Sequence, residues 1–340
     1  MLTSLDWTSY AAGAIAAIVS AVAVEAVRRR AGALGLLDLP GSRSTHRVPI
    51  PRGGGIGILV GTIAGITAAG VLSGHRLGAD ALVLLGCSLA LGGVGLIDDR
   101  RSLSPALRLC VQLAAGGVLV AATAPIPLFT ASAPAATPPA RDWAGMMIAV
   151  VWLTTVTNFF NFMDGIDGLA GGQTVASCAG IALAGWSADA SVVAVMLASA
   201  SAGFLLHNWP PARIFMGDVG SYAIGFLLAG LPLLAPRENR WTAVLAVAIG
   251  MTFFILDPVL ALCRRAARGE PLMQAHREHF YQKLVPVGAI ERRVPLLITL
   301  GAVVLSIAGA VAFHNGRLIW MAVAMAFLLF SVEAFSASRA

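Results

Sequence analysis

Apolar windows of about 17 to 22 residues follow one another along almost the whole chain, at 9–27, 55–73, 80–97, 105–124, 143–160, 169–186, 190–207, 219–235, 242–262, 295–313 and 317–335. A backbone in hydrocarbon must satisfy its N–H and C=O groups internally, so segments of this length become helices. Only 12% of the residues are charged, well below what a soluble domain carries, and the mean hydropathy is +0.82. The expectation is an all-α polytopic membrane protein with about eleven transmembrane helices, built as one domain over residues 1–340.

The basic residues divide unevenly between the connections. Eighteen of the 23 fall in alternate loops: Arg28–Arg30 to Arg52, Arg100 to Arg108, Arg213, Arg264 to Arg293, and Arg339. An excess of Lys and Arg marks cytoplasmic loops, which predicts an outside N-terminus and a cytoplasmic C-terminus. The net charge of +6 follows from this bias and does not argue for nucleic acid. The first window has no basic residue before it and three arginines after it, which suits an N-out anchor better than a cleaved signal. Cys87, Cys110, Cys178 and Cys263 sit singly in apolar runs, without the spacing of a disulfide framework or a zinc site.

Against this background the stretch Asn158-Phe-Phe-Asn161-Phe-Met-Asp164-Gly-Ile-Asp167-Gly stands out, because it joins two apolar windows. Two amides and two carboxylates recur every third residue. On a 3₁₀ path they line up, and on an α path neighbouring pairs share a face. A single acid here would read as a polar turn; four such groups read as a site.

The other connections on the same side carry polar clusters too. Residues 28–54 run into the triplet Gly53-Gly54-Gly55 that opens the next window, where backbone N–H groups either hold a phosphate or serve close helix packing. The third window ends Gly95-Leu-Ile-Asp98-Asp99, with Arg108 opening the fourth. Adjacent acids point about 100° apart on a helix, so Asp98 and Asp99 would serve different partners. Residues 207–221 include Arg213, Phe215 and Gly217-Asp218-Val-Gly220-Ser221; Asp218 can cap its own helix or bind a ligand, and Phe215 can anchor at the interface or stack on a base. Asp257 lies near the inner end of the ninth window. Residues 264–294 hold His276-Arg277-Glu278-His279-Phe280-Tyr281-Gln282, whose histidines lack a third metal ligand nearby and suit phosphate better.

Asp98, Asp99, Asp164, Asp167, Asp218 and Asp257 all fall on the expected cytoplasmic side, with Arg108, Arg213, Arg277 and His279. So many carboxylates require a counter-cation. Mg²⁺ or Mn²⁺ suits oxygen ligands and bridges carboxylates to substrate phosphates. The implied chemistry is attack on phosphorus at a membrane surface, where one reactant can be a lipid.

These motifs, in this order, resemble the polyprenyl-phosphate N-acetylhexosamine-1-phosphate transferases, and the resemblance covers nearly the whole chain. It implies a UDP-N-acetylhexosamine donor, undecaprenyl phosphate as acceptor, Mg²⁺ (or Mn²⁺), and a place in the bacterial inner membrane at the first lipid-linked step of cell-envelope polysaccharide synthesis. A homodimer is compatible with it. By the same resemblance Asp98, Asp99 and His279 are catalytic, and Asn161 and Asp218 bind metal. Arg108, Asn158, Asp164, Asp167, Arg213, Phe215 and Arg277 bind substrate. The chain departs from the pattern at His279-Phe-Tyr281-Gln282, where many members have further histidines, which points to a different N-acetylhexosamine.

Two rivals are weaker. A CDP-alcohol phosphatidyltransferase needs Asp-Gly-x-x-Ala-Arg, and no Arg follows Asp164-Gly-Ile-Asp-Gly-Leu-Ala. A cation-coupled transporter predicts ionisable groups near the bilayer midplane in two related halves, and no internal repeat is evident.

Overall fold

The computed structural model describes residues 7–38, 48–123, 143–270, 280 and 293–339, with side chains to 332. Among the described residues twelve α-helices carry the fold: α1 Trp7–Leu34, α2 Gly54–Ser73, α3 Ala79–Arg100, α4 Pro105–Thr123, α5 Trp143–Met163, α6 Leu169–Ala184, α7 Ala188–Asn208, α8 Asp218–Gly230, α9 Arg240–Gly250, α10 Thr252–Ala267, α11 Arg293–His314 and α12 Ile319–Arg339. A two-residue antiparallel ladder, β1 (Leu37–Asp38) against β2 (Ile50–Pro51), closes the ends of the first loop.

Among the described residues seven helices are long and apolar enough to cross a membrane, or eight if the bent pair α9–α10 is one span; α6, α8 and the α12 region are shorter apolar helices. Every expected window lands on helix, and the molecule is an all-α multi-pass membrane protein. Large apolar side chains point outward on the peripheral helices, such as Leu82 and Leu89 on α3 and Leu297 and Leu300 on α11, as lipid contact demands.

The inner helices differ from the outer ones. In α8 every residue from Val219 to Gly230 is buried, and α8 packs on α2, α3, α5 and α6. An apolar surface would let this helix face lipid equally well; its place inside comes from packing against these neighbours. It approaches its neighbours backbone to backbone: a Cβ on Gly95 of α3 would overlap the Asp218 carbonyl, and one on Gly55 of α2 would overlap Gly220. Only glycine allows these two contacts.

The window at 242–262 reads as one span, but the chain bends there by 77° between α9 and α10. A break in a membrane helix frees carbonyls that need new donors. Gln173, buried in α6, donates Nε2 to the Gly250 carbonyl at 3.0 Å, and Gly250 packs on Ser306 of α11. Hydropathy averages over such a bend and cannot register it.

Candidate active site

Three stretches of chain meet at the start of α8. Gly217 is the N-cap and has no side chain to offer, so the acceptor comes from α3. Asp99 Oδ1 accepts the Asp218 N–H and Oδ2 the Val219 N–H, both at 3.1 Å. A carboxylate placed there satisfies orphan donors and meets the positive end of the helix dipole. Arg52 Nη1 stands 3.7 Å from the same carboxylate. Asp218 therefore does not cap its own helix; Asp99 does that from a neighbour, leaving the Asp218 side chain for another use.

Asp98 faces the other way, as the helix geometry expects. Its Oδ1 accepts the Leu103 N–H at 2.7 Å, and its Oδ2 accepts from Arg108 Nη1 at 3.1 Å and from the Tyr222 hydroxyl at 2.9 Å. Both acids are buried, at 7% and 5% exposure, so these bonds are the solvation they have. Arg108 is half-buried and also donates to the Tyr222 oxygen at 3.2 Å.

The four polar residues of the α5–α6 stretch do not form one row, because α5 ends at Met163 and the last two lie in the turn beyond it. Asn161 spans to α8, donating Nδ2 to Asp218 Oδ1 at 2.7 Å and to Ser221 Oγ at 2.8 Å. Asn158, one turn deeper, is paired with Gln112 of α4 and bonds back to the Thr154 carbonyl. Asp167 accepts the Ala212 N–H at 2.7 Å, tying this turn to the α7–α8 connection. Asp164 is half-buried on the turn. Loss of solvation, and then the like charges of Asp218, Asp99 and Asp167, push its carboxyl well above the usual range.

The α7–α8 connection is organised by Asn208. Its Oδ1 accepts the Gly168 N–H and its Nδ2 donates to the Ile214 carbonyl, each at 2.9 Å. Phe215 is half-buried and its backbone docks on Pro51 and Gly54. Arg213 is exposed and donates to the Leu206 carbonyl at 2.6 Å. Two glycines of the triplet dock the loop: the Gly54 and Gly55 N–H groups go to the Phe215 and Met216 carbonyls at 2.9 Å. Those two N–H groups are therefore not open to a phosphate.

Asp257 is fully buried in α10 and accepts the Phe280 N–H at 3.0 Å. Arg264 covers the Phe280 ring at 4.3 Å. Arg277, His279, Tyr281 and Gln282 lie outside the described residues.

Asp98, Asp99, Arg108, Asn161, Asp164, Asp167 and Asp218 are thus gathered around one helix start, whereas Asn158 braces α4 against α5. Gln112, Asn208 and Tyr222 complete the arrangement and escape a search for charged motifs. A lone amide inside an apolar window (Gln112) and a tyrosine one turn after Asp218 are the signals that point to them.

Among the described residues no three His, Cys, Asp or Glu side chains group as a metal site. The oxygens around Asp218 and Asn161 nonetheless fit a hard divalent ion that arrives with phosphates, because Mg²⁺ usually takes one or two protein ligands and fills the rest with water and substrate. Asn161 Nδ2 donates to Asp218 Oδ1; with its amide turned over, Asn161 could offer an oxygen beside that carboxylate to such an ion.

Residues 81–235, from the start of α3 through α8, match the family described as glycosyl transferase family 4. The chain is 29% identical over 310 residues to the probable undecaprenyl-phosphate N-acetylglucosaminyl 1-phosphate transferase of Bacillus subtilis, covering 89% of this chain and 84% of that one. It is 31% identical over 335 residues to the decaprenyl-phosphate N-acetylglucosaminephosphotransferase of Mycobacterium tuberculosis, covering 89% and 82%. With the phospho-N-acetylmuramoyl-pentapeptide-transferase of Mycobacterium bovis it shares 31% identity over 299 residues, covering 73% and 80%. Coverage of this extent, together with the helix-start cluster of acids, makes the chain a member of glycosyl transferase family 4, the polyprenyl-phosphate N-acetylhexosamine-1-phosphate transferase superfamily.

Proposed function

We propose that the protein transfers an N-acetylhexosamine-1-phosphate from a UDP-sugar to undecaprenyl phosphate. An oxygen of the lipid phosphate attacks the β-phosphorus, the bond between that phosphorus and the bridging oxygen breaks, and UMP leaves with that oxygen. One phosphoanhydride is exchanged for another, so the reaction is readily reversible. N-acetylglucosamine donors come first among the candidates, because the B. subtilis and M. tuberculosis relatives are named for that sugar.

The observation that carries this reading is the convergence of Asp98, Asp99, Asn161, Asp164 and Asp218 with Arg52 and Arg108 at one helix start. Asn161 and Asp218 would hold Mg²⁺ or Mn²⁺, which when bound neutralises charge on the diphosphate and the leaving group. A phosphomonoester with a second pKa of about 6 is largely dianionic at neutral pH and brings its own nucleophilic oxygen. Asp98 and Asp99 then act by holding Arg108 and the start of α8. Arg108 offers its outward N–H groups to the acceptor phosphate. Asp164 and Asp167 border the donor, with Phe215 against the base and Arg213, Arg277 and His279 toward phosphate. The site faces the cytoplasm of a bacterial inner membrane, with the N-terminus outside and the C-terminus inside. The α9–α10 pair and the three shorter helices complete about eleven spans. The product starts a cell-envelope polysaccharide such as O-antigen or capsule.

The test is UMP release by purified protein with undecaprenyl phosphate, Mg²⁺ and a panel of UDP-sugars. Release that needs both the lipid and the divalent ion supports the reading. Release unchanged by chelation, or none with any UDP-N-acetylhexosamine, refutes it.

A further inference from the structure

The phosphotransfer reading gives no task to Tyr222, although its hydroxyl is bonded to two residues of the site. It lies one turn after Asp218 on α8 and is 2% exposed. Its O–H donates to Asp98 Oδ2 at 2.9 Å, and its oxygen accepts from Arg108 Nη1 at 3.2 Å. Arg108 Nη1 also reaches Asp98 Oδ2 at 3.1 Å. The three groups therefore close a ring in which the hydroxyl can point in only one direction.

This ring consumes one edge of the guanidinium. Because that fork is planar and rigid, fixing Nη1 at two acceptors fixes the direction of the remaining N–H groups. We propose that Tyr222 is a positioning residue for the lipid-phosphate acceptor: together with Asp98 it aims the free edge of Arg108 at that phosphate. The inference rests on the phosphotransfer reading above. It also explains a tyrosine hydroxyl beside a buried carboxylate at a position where phenylalanine would pack equally well and leave no polar atom to satisfy.

The distinction from a packing role lies in which substrate feels the change. Tyr222→Phe keeps the ring volume and removes only the hydroxyl. The expected result is an acceptor KM raised about five- to tenfold, the loss of one well-aimed charged hydrogen bond, with the donor KM within about twofold of wild type. Arg108→Lys is the companion variant, since an ammonium cannot bond Asp98 and Tyr222 and still present a second edge; it should produce the same acceptor-selective rise. In the double variant Tyr222→Phe with Arg108→Lys the tyrosine change should add less than about twofold, because the two residues act as one unit. The proposal is overturned if Tyr222→Phe shifts both KM values together, or shifts neither, or if its effect multiplies in full with that of Arg108→Lys. Should Tyr222→Phe fail to fold, an Arg108→Lys enzyme with an unchanged acceptor KM overturns it and an acceptor-selective rise upholds it. Wild-type protein that releases no UMP would instead refute the phosphotransfer reading itself.

Discussion

Asp99→Asn separates a chemical role from a structural one. The native carboxylate takes two backbone N–H groups of α8, each at 3.1 Å, in a buried setting. An asparagine keeps one acceptor oxygen and turns an NH₂ toward the second N–H. One hydrogen bond to a charged group is lost, at about 1.5–3 kcal/mol, and a buried donor is left unmatched. The favourable contact with the helix dipole, about 0.3–1 kcal/mol, goes with the charge. The Arg52 contact at 3.7 Å is partly exposed and adds little. Together the expected loss is about 2–4 kcal/mol. By the relation of about 2–4 °C per kcal/mol for chains of a few hundred residues, the apparent melting temperature of the detergent-purified protein should fall by roughly 4–16 °C. Turnover should fall too, because Asp218 is no longer held in register. A variant that melts with the wild type while losing turnover would refute the capping assignment and return Asp99 to direct chemistry.

Asp218→Ala should abolish UMP release while the protein still inserts and folds, since the Asp218 side chain caps nothing; near wild-type turnover would remove it from the site. Asp164 has a folded-state carboxyl pKa well above that of the unfolded chain, so without divalent ions stability should decline as pH rises above the ordinary carboxylate range, through the folded value. Asp164→Asn should flatten that decline and raise the melting temperature at pH 7 while abolishing turnover; a melting temperature equally pH-dependent in both proteins counts against it. Gly95→Ala would drive a Cβ into the Asp218 carbonyl and should cost about 3 kcal/mol or more, read as loss of the folded fraction in detergent. Gln112→Ala strands the Asn158 amide and should cost about 1–3 kcal/mol, whereas the double variant Gln112→Leu with Asn158→Leu should recover part of it; equal melting of all three would show that the amide pair contributes nothing.

Much of the site is legible from residue types because charge is rare here. In a chain only 12% charged, each acid at the end of an apolar run carries information, and Asp98, Asp99, Asp164, Asp167 and Asp218 all come together in space. The division of labour between them is not legible. Asp98 and Asp99 are adjacent in the chain, yet one braces Arg108 and the other caps α8. That depends on which helices lie on either side of α3. Gln112, Asn208 and Tyr222 draw less notice for the same reason: an uncharged polar residue outside a regular spacing shows its role through the partner it meets.

Apolar length and the scarcity of charge were enough to determine a helical membrane protein and its polar connections, since hydrocarbon leaves a backbone few choices; the family resemblance came from the order of the polar motifs. Packing alone decided that α8 would be the enclosed helix, that the span near Met251 would bend, and that the glycines at 54 and 55 would dock a loop instead of holding phosphate. The physical reason is that hydropathy reports how each segment meets lipid, whereas these features depend on how close two backbones come and which donor a freed carbonyl finds.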